Sequence, residues 1–268
     1  MLPQLLEIAR AAGEGVMEIY GASSAAGLGG DYGSLAVSPK ADNSPVTQAD
    51  LRAHEIIVEG LAKLAPAIPV VSEEDTDSLR HRTPDGLFWL IDPLDGTREF
   101  IARNDEFTVN IALISGGVAV LGVVFAPALD LLYWGGADFG AFRDASGKTE
   151  RIAVAGNGQS PCAIRVVASK SHMNAETSRF IMALGPHELI QAGSSLKFCR
   201  IAEGAADIYP RLGPTCEWDT AAAQAIVEAA GGHVSTLDGA RLRYGKTDVL
   251  NPHFIARAAA LHELGVRA

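Results

Sequence analysis

Hydrophobic positions in the N-terminal part of the chain follow a helical period. The spacing of apolar residues over 2–19 predicts a first amphipathic helix, which Gly21 is expected to end. Thr47, followed by Asp50 three positions later, predicts a capping box. This box would open a second helix that runs to about Leu64.

Short apolar runs typical of β-strands come next. "IPVVSEE" at 68–74 and "LFWLID" at 87–92 each end in acidic residues, and two or three further strands are predicted between Phe107 and Trp134. The stretch 107–129 has no charged residue, but Asn110, a Gly-rich turn and a proline interrupt it. It therefore predicts two buried strands rather than a membrane span.

The second half of the chain predicts strands that alternate with helices. A strand runs into a loop over 163–172, a helix follows near 174–184, and 188–211 predicts strand, loop, helix and strand. "CEWDTAAAQAIVEAAGG" predicts a helix with Asp219 in its first turn, before short strands from His233 and a C-terminal helix. This alternation favours a layered α/β architecture. The predicted turn "DASGK" divides the chain into two predicted halves, 1–148 and 149–268.

Composition narrows the class of protein. The 268 residues include 48% apolar side chains, enough for a large core. The 32 acidic residues outnumber the 22 basic ones, and a net charge of −10 disfavours nucleic-acid binding. Three cysteines without C-x-x-C spacing predict neither a thiol zinc site nor a disulfide framework. Since the N-terminus also lacks the pattern of a signal peptide, a cytoplasmic location is expected.

Acidic residues recur where predicted strands end. Glu73 and Asp92 each follow an apolar run, Asp95 lies three residues further, and Asp219 opens a helix. Such acids can converge at the edge of a sheet, where they would repel one another unless cations lay between them. Oxygen ligands favour a hard divalent ion such as Mg²⁺, and the tight turn leaves the Leu94 carbonyl as a further candidate ligand.

Simpler interpretations stay open on these grounds alone. "DPLDG" is compatible with an ordinary turn, and Glu73 is compatible with a solvated loop. Asp219 could simply be an acid at a helix N-terminus, and Asp50 could simply cap a helix. A module that only binds an anion is also compatible with the pattern. Acyl transfer is disfavoured, because the chain has no G-x-S-x-G motif and no paired Cys/His arrangement.

Two long motifs resemble a known family. "WLIDPLDGTREF" and "CEWDTAAAQAIVEAAGG" are similar to the paired signature of the inositol monophosphatase superfamily, Mg²⁺-dependent and lithium-sensitive phosphatases. "KADNSPVTQAD", "VVSEED", "NDEFTVNIALI" and "GSSLKFCRIAEGAADIYPRLGPT" resemble its CysQ-type 3′(2′),5′-bisphosphate nucleotidases. The resemblance spans nearly the whole chain. One departure is a longer Gly-rich segment at 21–36, within a stretch 21–45 that predicts a mobile flap.

The resemblance implies a fold and a metal site. The fold would be a five-layer α-β-α-β-α sandwich of the inositol monophosphatase and fructose-bisphosphatase type. The N-terminal half would bind the metals, and the C-terminal half would complete the active site and bind the nucleotide. Two or three Mg²⁺ ions would be held by Glu73, Asp92, Asp95, Asp219 and the Leu94 carbonyl.

The resemblance also implies the catalytic groups. Thr97, with Asp50 behind it, would orient and help deprotonate the attacking water, and the amides of Gly96 and Thr97 would cradle the phosphate.

On the substrate side, the resemblance implies a second phosphate subsite and an adenine contact. Ser194, Lys197 and Arg211, beside Gly193, would hold the non-reacting phosphate, and His172 would pack against adenine. The implied activity is hydrolysis of adenosine 3′,5′-bisphosphate to AMP in sulfur metabolism. The alternatives are an inositol or broad sugar monophosphatase and a non-catalytic nucleotide-binding regulatory protein. Neither a homodimer nor peripheral attachment to the inner face of the plasma membrane is decided by the sequence.

Overall fold

The computed structural model describes residues 1–25, 38–39, 45–156, 163–169 and 173–259. Most of the predicted flap, His172 and residues 260–264 of the predicted C-terminal helix lie outside these residues, whereas 256–257, where that helix was predicted to begin, end a strand instead. Within the described ranges, no helix has the length and apolar character needed to cross a membrane.

The described ranges contain six α-helices and fourteen strands. The helices are α1 (Leu2–Ala25), α2 (Gln48–Leu64), α3 (Thr97–Ile101), α4 (Ala175–Ala183), α5 (Leu196–Ala202) and α6 (Ala221–Ala229). A small antiparallel pair is formed by β1 (Ser38–Pro39) and β2 (Pro45–Val46). A seven-stranded sheet runs in chain order through β3 (Val70–Ser72), β4 (Leu87–Asp95), β5 (Thr108–Ser115), β6 (Val118–Ala126), β7 (Leu131–Gly136), β8 (Gly140–Ala145) and β9 (Lys148–Ile152).

A five-stranded sheet completes the fold. Its strands are β10 (Ile164–Ser169), β11 (His187–Ala192), β12 (Ile208–Arg211), β13 (His233–Thr236) and β14 (Phe254–Arg257). They lie side by side in the order β11-β10-β12-β14-β13. The pairs of β10 with β11 and with β12 are parallel, and the remaining pairs are antiparallel.

The side-chain period of the strands builds the layers. On β5, Val109 and Ile111 belong to the core beneath α1 and α2, whereas Ala112 and Ile114 belong to the core shared with α5 and α6. That second core also includes residues of the five-stranded sheet, and α4 packs on the sheet's other face. The order of layers is α-β-α-β-α, as the resemblance implies, and the layered α/β prediction is confirmed.

Two local predictions need correction. α1 continues through Gly21 to Ala25. Since Tyr20 is buried against two phenylalanine rings, tertiary packing outweighs the low helix propensity of one glycine. "DASGK" is the turn between β8 and β9, so the seven-stranded sheet extends to Ile152. The division into halves at 148 stays a prediction.

Candidate active site

The turn after β4 gathers several functional groups. The pairing of β4 with β5 shifts register between Asp92 and Asp95, where the proline interrupts the ladder. Asp92 is buried, and its Oδ1 accepts a hydrogen bond from the Leu94 amide at 3.1 Å. Gly96 follows at φ 90°, and α3 begins at Thr97. A side chain at Gly96 would be strained at this φ, so the turn depends on glycine here.

Three of the predicted metal ligands converge. Carboxylate oxygens of Glu73, Asp92 and Asp219 lie within 4.8 Å of one another. Burial, together with the nearby Asp95 and Glu73 charges, raises the pKa of Asp219 well above its ordinary value. Three carboxylates this close fit a hard divalent cation, which would both neutralise their charge and accept their oxygens as ligands.

Asp219 lies just before α6 rather than in its first turn. Thr220 is the N-cap residue and the helix begins at Ala221, so the predicted placement was wrong. The turn that precedes the helix holds the acid instead, because the Cys216 amide donates to Asp219 Oδ2 at 2.8 Å. Asp219 contributes one carboxylate oxygen to the acid cluster.

Asp95 has a different environment from the other three acids. Its Oδ2 accepts hydrogen bonds from Ser194 Oγ at 2.6 Å and from Ser195 Oγ at 2.9 Å. Glu73, Asp95 and Asp219 all line one cavity of about 580 Å³, and we call these three residues the acidic wall. The role of Asp95 as a metal ligand stays a prediction.

The Leu94 carbonyl is engaged, although the sequence led us to expect it free. It accepts a hydrogen bond from Thr97 Oγ1 at 3.3 Å. A carbonyl oxygen has two lone pairs, so this contact is compatible with the predicted metal ligation.

Asp50 combines the two interpretations that the sequence left open. Its Oδ2 accepts from the Thr47 amide at 2.8 Å and from Thr47 Oγ1 at 2.6 Å, which completes the predicted capping box. Its Oδ1 accepts from Thr97 Oγ1 at 3.3 Å. One carboxylate thus caps α2 and contacts the threonine predicted to orient water, and the cap fixes its orientation.

Two cationic side chains line the same cavity. Lys197 and Arg211 both contribute to its lining, and we call this pair the cationic wall. Lys197 is only 7% exposed, with its Nζ 5.8 Å from the Tyr209 ring centroid. Burial lowers the pKa of Lys197 to about 8, against the opposing influence of Asp95. The Arg211 guanidinium donates to the Pro214 carbonyl at 2.8 Å, and its buried Nε has no hydrogen-bond partner among the described residues.

The segment predicted to hold a second phosphate is itself hydrogen bonded to the first half. The Gly193 amide donates to Glu106 Oε2 at 2.9 Å, and Ser194, at φ 49°, has its Oγ 2.5 Å from Thr108 Oγ1. Ser194 lines the cavity together with Gly96 and Thr97. The structure brings all of these predicted residues to one site, while their contacts with phosphate stay predictions.

Sequence reasoning missed four polar residues around this site: Thr108, Asn110, Ser195 and Glu106. Thr108 and Asn110 are buried at alternate positions of β5, and a polar pair with this period inside an apolar strand is a detectable signal. Nothing in the local pattern marks Ser195 or Glu106, because their partners lie far away in the sequence.

Comparisons with known proteins agree with this geometry. A family model described as the inositol monophosphatase family matches residues 1–268. The 3′(2′),5′-bisphosphate nucleotidase CysQ of Shigella flexneri is 46% identical over 255 residues, which cover 95% of this chain and 98% of the relative. The CysQ protein of Escherichia coli K12 is 45% identical with the same coverage.

A solved structure extends the likeness to three dimensions. CysQ from Bacteroides thetaiotaomicron, described as a bacterial member of the inositol monophosphatase family, superposes with a TM-score of 0.78 at 40% identity. The match covers 95% of this chain and 96% of that one. The chain belongs to the inositol monophosphatase family.

Proposed function

We propose that this chain is a Mg²⁺-dependent 3′(2′),5′-bisphosphate nucleotidase that hydrolyses adenosine 3′,5′-bisphosphate to AMP and phosphate. The relatives at 45–46% identity that carry this name match over nearly their whole length, which supports the assignment. The structural observation that carries it is a single cavity lined by both the acidic wall and the cationic wall. A substrate with two phosphates needs two separate anion sites, and this arrangement offers them.

The reacting phosphate belongs at the acidic wall. Mg²⁺ ions, two or three of them, would be held there by Glu73, Asp92, Asp95, Asp219 and the Leu94 carbonyl. Bound Mg²⁺ supplies charge neutralisation and a more acidic water nucleophile. Without a cation, the clustered carboxylates would repel a phosphate dianion.

Thr97 and Asp50 move the proton of the attacking water. Thr97 Oγ1 lies 3.3 Å from both Asp50 Oδ1 and the Leu94 carbonyl oxygen, and when its one proton is directed to Asp50, a lone pair of the threonine oxygen is available to accept from water. As the water loses its proton to Thr97, the threonine passes its own proton to Asp50. The cap on α2 keeps Asp50 Oδ2 occupied and leaves Oδ1 for this task.

The second phosphate belongs at the cationic wall. Lys197 is largely buried, and it and Arg211 line the same cavity. A buried ammonium group costs free energy unless an anion accompanies it, and a phosphate supplies both the charge and several acceptor oxygens. This wall distinguishes a nucleoside bisphosphate from a monophosphate.

A phosphate-release assay on the purified chain tests the proposal. The panel is adenosine 3′,5′-bisphosphate, 3′-phosphoadenylyl sulfate, AMP and inositol 1-phosphate, each with Mg²⁺, with EDTA, and with Mg²⁺ restored. We expect the bisphosphate to react fastest and to yield AMP, with activity lost in EDTA and regained with Mg²⁺.

Other outcomes identify the alternatives. Faster release from inositol 1-phosphate would favour a monophosphatase with the same catalytic groups. Tight binding of the bisphosphate without any phosphate release would favour a non-catalytic nucleotide-binding protein.

A further inference from the structure

Ser195 occupies a position between two of the predicted metal ligands. Its Oγ lies 2.9 Å from Asp95 Oδ2 and 3.0 Å from the Asp219 backbone carbonyl oxygen, so its single proton is shared between these two acceptors. Asp95 ends β4 in the seven-stranded sheet, whereas Asp219 lies in the turn before α6. One hydroxyl therefore joins two acids that come from separate parts of the chain.

The serine is itself held in place. Asn110, on β5, donates from Nδ2 to Ser195 Oγ at 2.9 Å. Because this amide hydrogen occupies an acceptor site of the serine oxygen, the hydroxyl proton is directed toward Asp95 and Asp219. The side-chain carbonyl of Asn110 in turn accepts from Thr108 Oγ1 at 3.0 Å, and Thr108 is completely buried. Ser195 therefore hydrogen bonds to a rigid central strand.

Its burial separates Ser195 from the neighbouring serine. Ser194 lines the cavity, whereas Ser195 is 1% exposed and is absent from the described residues that form the lining. A group in this position reaches the substrate only through the residues that it holds. Side chains that orient metal ligands from behind typically change metal affinity or activity by about 10- to 100-fold when they are removed.

We propose that Ser195 is a positioning residue that sets the orientation of the Asp95 carboxylate relative to the Asp219 turn, and that it thereby determines divalent-metal affinity. The inference rests on the proposed metal-dependent function of the site. By binding Asp95 Oδ2 together with Ser194 Oγ, the hydroxyl would leave the opposite oxygen to face a cation, and it links this carboxylate to the turn that holds Asp219.

Binding of Mn²⁺ alone, followed by electron paramagnetic resonance of the free ion, tests this without any turnover. We expect Ser195→Ala to weaken Mn²⁺ binding by about tenfold, and Ser195→Thr, which keeps the hydroxyl, to restore much of it. Asn110→Ala should weaken binding in the same direction, and its effect should be smaller but still present in the Ser195→Ala background, because Asn110 Nδ2 also donates to Asp95 Oδ2 at 3.4 Å. Ser235→Ala, at a buried serine on the edge strand β13, is the matched control and should bind Mn²⁺ like the parent chain.

The result that overturns the inference is unchanged Mn²⁺ affinity in a folded Ser195→Ala protein. A loss of nucleotide binding with normal Mn²⁺ affinity also overturns it, because Ser195 would then act on the substrate. If Ser195→Ala does not fold, Asn110→Ala serves instead, and the inference is overturned if its Mn²⁺ affinity equals that of the parent chain. Since Mn²⁺ binding is read without substrate, a failure of the proposed nucleotidase activity would leave this test intact.

Discussion

The acidic wall and the cationic wall of the cavity are built in different ways. Asp95 and Asp219 are tied into hydrogen bonds from neutral donors, namely serine hydroxyls and a backbone amide. Lys197 is largely buried, with its Nζ 5.8 Å from the centroid of the Tyr209 ring. Neutral donors orient carboxylates without cancelling their charge, so the acidic wall stays ready for a cation. The cationic wall needs no added ion to attract a phosphate.

This difference makes separable predictions. A change in the acidic wall, or in Asp92, which clusters with Glu73 and Asp219, should affect every phosphate ester, because each must react there. A change in the cationic wall should affect only substrates that carry a second phosphate.

The largest effect is expected for Asp92→Asn. The substitution keeps the shape of a buried side chain that also accepts from the Leu94 amide, but it removes one of three clustered charges. We expect kcat/KM to fall by at least about 100-fold on all substrates, with weaker Mg²⁺ activation. Mg²⁺ titrations of activity measure both quantities. Activity equal to that of the parent chain at every Mg²⁺ concentration would remove Asp92 from the metal site.

Thr97→Ala should have the next largest effect and should be confined to kcat. The hydroxyl contacts Asp50 Oδ1 and the Leu94 carbonyl, so its loss removes the proton path while the carboxylates remain. We expect kcat to fall by about 100-fold with nucleotide affinity nearly unchanged. Calorimetry measures nucleotide affinity and steady-state kinetics measures kcat. Thr97→Ser, which keeps the hydroxyl, is the control. Lost affinity with normal turnover of the bound complex would contradict the role.

Replacing both Lys197 and Arg211 with alanine sharpens the comparison between the walls. A charge-assisted hydrogen bond contributes about 1.5–3 kcal/mol, so kcat/KM for adenosine 3′,5′-bisphosphate should fall by at least about tenfold. The value for inositol 1-phosphate should change little, and the ratio of the two is the measurement. An equal loss on both substrates would mean that these side chains support the fold rather than hold the nucleotide.

How far the sequence predicts this site depends on the distance between partners along the chain. The contact of Thr47 with Asp50 is local, and its capping box was predicted and confirmed. The apolar runs that end in acids likewise predicted where the acids converge. Ser195, by contrast, meets Asp95 across 100 positions and Asn110 across 85. Such contacts depend on how the two sheets pack, which periodicity and turn chemistry do not specify.

The error at Asp219 has a different origin, because the contact involved is local. Its sequence position beside an apolar helical pattern predicted an acid in the first helical turn. The structure instead uses the Cys216 amide to hold the carboxylate in the preceding turn, so α6 begins two residues later. A helix boundary is decided by such local hydrogen bonds, which compete with the helix itself.

The smallest expected effect is a pH dependence that belongs to the cationic wall alone. Burial lowers the pKa of Lys197 to about 8, so its ammonium group is charged below that pH and becomes neutral above it. A neutral amine loses its attraction for the second phosphate, and KM for adenosine 3′,5′-bisphosphate should therefore rise between pH 7 and 9. The rise should be at most about tenfold, since the charged fraction falls by roughly that factor across this range. Lys197→Arg is the matched control, because a guanidinium stays charged throughout and should flatten the profile. Inositol 1-phosphate, assayed over the same range at saturating Mg²⁺, should show no such rise in KM. If its KM rises in parallel, the titrating group acts at the acidic wall, and the separation of the two phosphate sites is wrong.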